Sequence, residues 1–153
     1  MTEFFLEIHS EEIPANFQES AAQNLKDLIY LLFDDDLGKD RENISETSFN
    51  NYKKSFMKIL NDSNNEIFTM ILNDQIIGMM QLTFIPGLSM EGMTRCQIES
   101  VRIKKDYRNK GYGSELMKKG IEIAKLNKCG LIQLTSNKER LKAINFYKKL
   151  GFL

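Results

Sequence analysis

The sequence predicts an α/β (α+β) domain built on a mixed, mostly antiparallel central sheet with helices on both faces. Three observations predict it. Residues 66–72, 75–85 and 94–103 are consecutive strand-like runs separated by turn residues, the order in which antiparallel strands follow one another. Four other stretches carry apolar residues at helical spacing and flank those runs. One strand, ending at Ile103, feeds through a glycine-bearing turn into a long helix and then a short apolar strand, Gly130 to Thr135. With 153 residues, 42% hydrophobic and 27% charged, the chain has the size and composition of one globular domain with a real core.

The elements follow in order. Phe4 to Ile8 reads as a first strand, and Ser10-Glu11-Glu12-Ile13-Pro14 as the start of a helix, with acidic residues in its first turn and proline near N1. Ala21, Leu25, Leu28, Ile29 and Leu32 continue it at helical spacing up to Asp34-Asp35-Asp36. That triplet reads as a solvated turn, because no further acidic residues at ligand spacing accompany it. Phe49, Tyr52, Phe56, Ile59 and Leu60 mark a second amphipathic helix over 47–60. Glu66 to Leu72 and Gln75 to Ile85 form a hairpin about Asn73-Asp74, closed off by Pro86-Gly87 and a loop without pattern through Gly92. In Thr94 to Ile103, period-2 alternation puts Gln97, Glu99, Val101 and Ile103 on one side and Cys96, Ile98, Ser100 and Arg102 on the other. Leu116, Met117, Ile121 and Ala124 give the next helix its apolar face. Ser136 to Glu139 fits a capping box ahead of the last helix, which carries Ala143, Ile144, Tyr147 and Leu150 and stops at Gly151.

Charge narrows the function. Lys plus Arg equal Asp plus Glu at 21 each, so nothing argues for a nucleic-acid partner, and no basic or long apolar run argues for a membrane. The N-terminus lacks the features of a secretory signal. Two distant cysteines, Cys96 and Cys129, and a single histidine, His9, offer no metal-ligand pattern. Two thiols in such a chain fit reduced core residues and a cytoplasmic location.

The turn Arg108-Asn109-Lys110-Gly111-Tyr112-Gly113-Ser114 carries the chemistry. The first amides of a helix lack intrahelical acceptors and sit at the positive end of its dipole. Glycines let a phosphate approach the backbone, and Arg108 and Lys110 add positive charge, so the expected ligand is a pyrophosphate. Leu116 stands where a dinucleotide fingerprint would place a third glycine or alanine, and no Gly-Lys-Ser/Thr follows as in a nucleotide-triphosphate loop.

Arg108-x-x-Gly111-x-Gly113 resembles the coenzyme A signature of the GNAT superfamily of N-acetyltransferases. Asn145-Phe146-Tyr147-Lys148-Lys149-Leu150-Gly151-Phe152 resembles the closing helix of that superfamily. The resemblance covers residues 29–152 and is strongest from Ile67. It also extends to a branch with Leu82-Thr83-Phe84-Ile85-Pro86-Gly87-Leu88 before the cofactor strand and Gln133-Leu134-Thr135-Ser136 before the last helix. Residues 1–25 are unlike the usual GNAT opening and resemble the start of the glycyl-tRNA synthetase beta subunit, without any catalytic motif of it. Arg140 stands where the superfamily usually has an asparagine that contacts pantetheine. The superfamily fold usually continues past Leu150-Gly151-Phe152 into further strands. The expectation is therefore one acetyltransferase domain, 1–153, shortened at its C-terminus, with an atypical opening segment 1–28. An exposed sheet edge would then invite a homodimer.

The resemblance implies acetyl-CoA as cosubstrate and a small-molecule or peptide amine as acceptor. It assigns the backbone of Val101 and Ile103 to the pantetheine arm and Arg108, Asn109, Lys110, Gly111, Tyr112, Gly113 and Ser114 to the pyrophosphate. Tyr147 is the expected general acid, since its ordinary pKa of about 10 is close to that of a departing thiol; otherwise it packs with its hydroxyl at the rim. Glu99 is the candidate base, directly or through water, or else a solvated surface carboxylate. His9 lies in the atypical opening and is set aside as a base. Direct attack on the thioester needs no nucleophilic cysteine. The competing readings are a non-catalytic CoA-binding module and an inactive truncated fusion protein.

Overall fold

The computed structural model describes residues 4–7, 17–34, 38–39 and 41–153. The expected helix start at Ser10 to Pro14, and His9, lie outside these residues. The elements are β1 (Phe4–Glu7), α1 (Phe17–Phe33), α2 (Glu46–Leu60), β2 (Asn65–Leu72), β3 (Gln75–Ile85), a single turn α3 (Ser89–Gly92), β4 (Arg95–Ile103), α4 (Tyr112–Leu126), β5 (Leu131–Leu134) and α5 (Leu141–Lys149). The strands lie side by side in chain order. β1, β2, β3 and β4 pair antiparallel, and β4 pairs parallel with β5. Asn73 and Asp74 both have positive φ (49° and 60°), the geometry a two-residue hairpin needs to match strand twist.

Each face of the sheet has its own core. Leu116, Met117 and Ala124 of α4 pack on Phe68, Met70, Ile77, Met80, Leu82, Phe84, Cys96 and Ile98. On the opposite face Leu25, Leu28, Ile29 and Leu31 of α1 and Phe56 of α2 pack on Ile67 and Met79. The expected mixed sheet with helices on both faces is what the chain forms.

Three local expectations are corrected. The loop after Pro86 contains a left-handed turn, with Met90, Glu91 and Gly92 at φ 54°, 60° and 82°. The capping box is not formed: α5 begins at Leu141, with Arg140 at the N-cap. Asn137 takes the amide of Glu139 on its side chain (2.9 Å) and that of Arg140 on its carbonyl (2.9 Å), so a turn replaces the helix start. The alternation along β4 also fails. Gln81 pairs with Glu99 and Met79 with Arg102, so Met80 faces both Ser100 and Val101 across a bulge, with Ser100 at φ 52°. One extra residue reverses the faces beyond it. Val101 and Ile103 pack on the same core as Cys96 and Ile98, whereas Glu99 does not share their side.

Two helix ends show why the chain turns where it does. At α5 the Phe152 amide donates to the Tyr147 carbonyl (3.2 Å) and the Gly151 amide to the Lys148 carbonyl (3.1 Å), with Gly151 at φ 94°. This is a Schellman stop, sealed by the Tyr147 and Phe152 rings 6.2 Å apart. α4 ends the same way, Cys129 to Ala124 (3.0 Å) and Lys128 to Lys125 (2.9 Å), but here Lys128 holds the left-handed position at φ 55°. A side chain there is strained, and Lys128 is exposed. Lys128→Gly is expected to raise the unfolding free energy by about 1 kcal/mol, read from the urea midpoint at unchanged m-value. An unchanged or lower midpoint would show that the lysine makes a compensating contact.

Candidate functional site

The turn between β4 and α4 begins with a 3-10 turn, Lys105–Tyr107. Asn109 (φ 62°) and Gly111 (φ 92°) then take left-handed conformations on either side of Lys110. Gly111 is the N-cap of α4, and its carbonyl accepts from the amides of Ser114 (2.9 Å) and Glu115 (3.1 Å). The amides of Tyr112 and Gly113 precede any intrahelical acceptor and point out of the helix start, without a backbone partner among the described residues. A Cβ on Gly111 would meet nothing within 4 Å, so that glycine answers to φ alone. Lys110 places its ammonium 5.5 Å from the centre of the Tyr107 ring, which packs edge-on to Tyr112 at 6.1 Å. The turn therefore has a basic residue held over an aromatic floor, with helix amides beside it.

Arg108 does not add free charge to that turn. Its Nε donates to the Ile103 carbonyl (2.8 Å), and its Nη2 donates to the Asp34 carbonyl (2.6 Å) and lies 3.3 Å from the Asp34 carboxylate. Its own amide donates to the Lys105 carbonyl (3.2 Å). Asp34 also accepts from the Lys105 amide at 2.8 Å. The first residue of the acidic triplet is thus a tie from the end of α1 to the turn, not solvated loop, while Asp35 and Asp36 lie outside the described residues. Nothing in the sequence pairs residues this far apart.

A second opening adjoins the turn. Parallel pairing of β4 with β5 runs from Arg95–Leu131 to Ile98–Leu134 and stops. β4 continues to Ile103, so its last five residues have no paired strand on that side among the described residues. The Lys104 amide donates to the Ile77 carbonyl of β3 (2.8 Å), which sets the phase of the ladder. The peptide groups of Ile103 consequently face the open side. The carbonyls of Val101 and Ile103 already accept from Arg102 (2.9 Å) and Arg108 (2.8 Å). What this edge offers a ligand is therefore amide donors.

The two expected proton carriers lie on different faces of the sheet. Tyr147 is half-buried on the α4 side of the sheet, its ring 5.2 Å from that of Phe146. Glu99 is exposed and sits beside Gln97, whose side chain accepts from Gln133 (2.8 Å). A Cβ on Gly113 would lie 3.5 Å from Phe146 and 3.8 Å from Ile103, which brings α4, α5 and β4 together at one point. The thiols behave as core groups. Burial pushes the Cys96 thiol up to about 12, and burial also raises Cys129. Among the described residues no group of three or more His, Cys, Asp or Glu could hold a metal ion, and no helix is long and apolar enough to cross a membrane.

Comparison with known proteins agrees with the fold. The model of the acetyltransferase (GNAT) family matches residues 7–152. The match starts inside the stretch that resembles the synthetase, and that second resemblance gains no support. A transcriptional regulator from Bacillus halodurans C-125 is 36% identical, with a TM-score of 0.84 over 99% of this chain and 93% of that one. A GNAT family acetyltransferase from Staphylococcus aureus is 23% identical, with a TM-score of 0.71 over 92% and 91% of the two chains. A predicted acetyltransferase from Clostridium acetobutylicum, solved with acetyl-CoA, shares the fold at 15% identity and a TM-score of 0.71, over 99% and 90%.

The cysteine environment yields a direct check. With a folded pKa of about 12, Cys96 is thiolate in about one molecule in ten thousand at pH 8. Iodoacetamide at that pH should leave it unmodified in the folded protein and alkylate it after unfolding in urea. Rapid labelling of Cys96 in the native state would contradict its burial.

Proposed function

The chain belongs to the GNAT acetyltransferase family, and we propose that it is an N-acetyltransferase moving an acetyl group from acetyl-CoA to a primary amine of a small molecule or peptide by direct attack. One observation carries the reading: the unpaired end of β4 lies next to a turn rich in amide donors. A strand edge and a helix N-terminus in sequence suit a ligand with an amide-bearing arm and a pyrophosphate.

Acetyl-CoA supplies an activated acyl group as a thioester. The chain holds it and handles the protons. The amides of Tyr112 and Gly113 and the Lys110 ammonium receive the pyrophosphate, with Asn109, Gly111 and Ser114 shaping the turn. Arg108 serves there as a strut, and the amides of Val101 and Ile103 meet the arm. Tyr147 donates the proton that the departing thiol needs, from the α4 side of the sheet. Glu99, on the other side of the gap, takes the proton of the amine. An acid and a base on opposite sides of one gap suit a thioester lying in it and an amine approaching from the α1–α2 face. The Bacillus halodurans relative is called a transcriptional regulator. Equal numbers of basic and acidic residues, 21 each, give that role no support from charge here.

Calorimetric titration of the protein with acetyl-CoA tests the cofactor half. Binding by the wild type that vanishes in Gly111→Glu, Gly113→Glu is expected, through bulk and like charge at the pyrophosphate. A folded wild type that does not bind would end the enzyme reading. In an amine screen, Tyr147→Phe should lower kcat by about 10²-fold at unchanged acetyl-CoA affinity, and Glu99→Gln should lower kcat by a similar factor, again at unchanged acetyl-CoA affinity. Binding without turnover on any amine would leave a CoA-binding module.

A further inference from the structure

We propose that Asp34, at the end of α1, is the positioning residue of the anion-binding turn; this inference rests on the acetyl-CoA reading above. The turn has few long-range ties of its own. Within it, Tyr107 bonds back to Lys104 (2.9 Å) and Arg108 to Lys105 (3.2 Å), both local contacts. The Lys104 amide holds its start to Ile77. Beyond that point Tyr107 and Tyr112 pack on the core, and among the described residues the hydrogen bonds that run from the turn to a distant part of the chain go to Asp34. Its carboxylate accepts from the Lys105 amide (2.8 Å), the first amide of the 3-10 turn, and so caps that turn from a distant part of the chain. Its backbone carbonyl and carboxylate together hold the Arg108 guanidinium, at 2.6 and 3.3 Å. Arg108 in turn grips the Ile103 carbonyl (2.8 Å), where β4 ends. A triangle of α1, the end of β4 and the 3-10 turn is thereby closed immediately before Asn109 and Gly111.

The sign of the effect distinguishes geometry from charge. A carboxylate near a pyrophosphate is unfavourable by itself, and removing its charge would strengthen anion binding. Here the Arg108 guanidinium neutralises Asp34, and both side chains are about two-thirds covered, at 34% and 33% exposure. What Asp34 supplies is acceptor oxygens at fixed places. Asparagine keeps an oxygen for Lys105 and the same backbone carbonyl for Arg108, whereas alanine keeps only the latter. Asp34 is also the last described residue before the connection to α2, so the tie links the acceptor-side helices to the cofactor turn.

The test compares acetyl-CoA with S-acetylpantetheine, which lacks the pyrophosphate, by calorimetric or competition titration well below the melting temperature of each variant. Asp34→Ala should narrow the affinity advantage of acetyl-CoA over S-acetylpantetheine by about tenfold or more, and Asp34→Asn should stay within about threefold of the wild type. Tyr52→Phe, which removes a bond to Glu42 (2.5 Å) away from the turn, controls for loss of stability and should leave the ratio unchanged. Should Asp34→Ala fail to fold, Arg108→Gln opens the same triangle and should narrow the ratio likewise. An unchanged ratio in the folded variants overturns the proposal, as does an equal loss for both ligands. A wild type that binds neither ligand overturns the acetyl-CoA reading instead.

Discussion

The structure depends on a mismatch of strand lengths. β4 has nine residues and β5 four, and their parallel pairing ends at Ile98–Leu134. Backbone groups left without a partner inside a fold are unfavourable, so an unpaired strand end must face water or a ligand. Everything around the gap is arranged to keep it open. β3 continues alongside β4 to Ile103, across the bulge at Ser100. α4 leaves from the far end through the turn, and α5 packs Phe146 and Tyr147 on the α4-side core. A longer β5 would satisfy the edge and abolish the site.

The bulge at Ser100 sets which groups face that gap. Without it, Val101 and Ile103 would share a face with Glu99 and point toward α1 and α2. With it, they join the α4 core, and the carboxylate is left on the other side with Gln97 and Gln81. The strain of a serine at φ 52° is a local one of order 1 kcal/mol. Burial of Val101 and Ile103 against a methionine-rich core offsets it.

Much of this was legible in the sequence, and the failures have a common cause. Strand limits followed from the turn residues that bracket the runs, and β3 has the expected bounds, Gln75 to Ile85. Gly151 marked a helix stop because only glycine sits easily at φ 94°. The glycine turn was readable because its chemistry is local. The bulge was not, since serine carries no signal for a left-handed position. The partner of Arg108 was not legible for a related reason. Its charge is visible in the sequence, but its partner is Asp34, and only tertiary structure brings the two together. The capping box failed because Asn137, a residue equally good at turns, captured the amides first.

The two glycines of the turn answer to different constraints, and the difference bears on function. Gly111 is demanded by the backbone: its φ of 92° excludes other residues whatever lies nearby. Gly113 has an ordinary helical φ, and a Cβ there would make normal contacts at 3.5 and 3.8 Å with Phe146 and Ile103. The fold accepts alanine at that position, where glycine is less favourable by about 1 kcal/mol in a helix interior, and less so in a first turn. Packing gives no reason for glycine at 113. A ligand that must come close to the helix amides does, and such a reason belongs to the site and not to the fold.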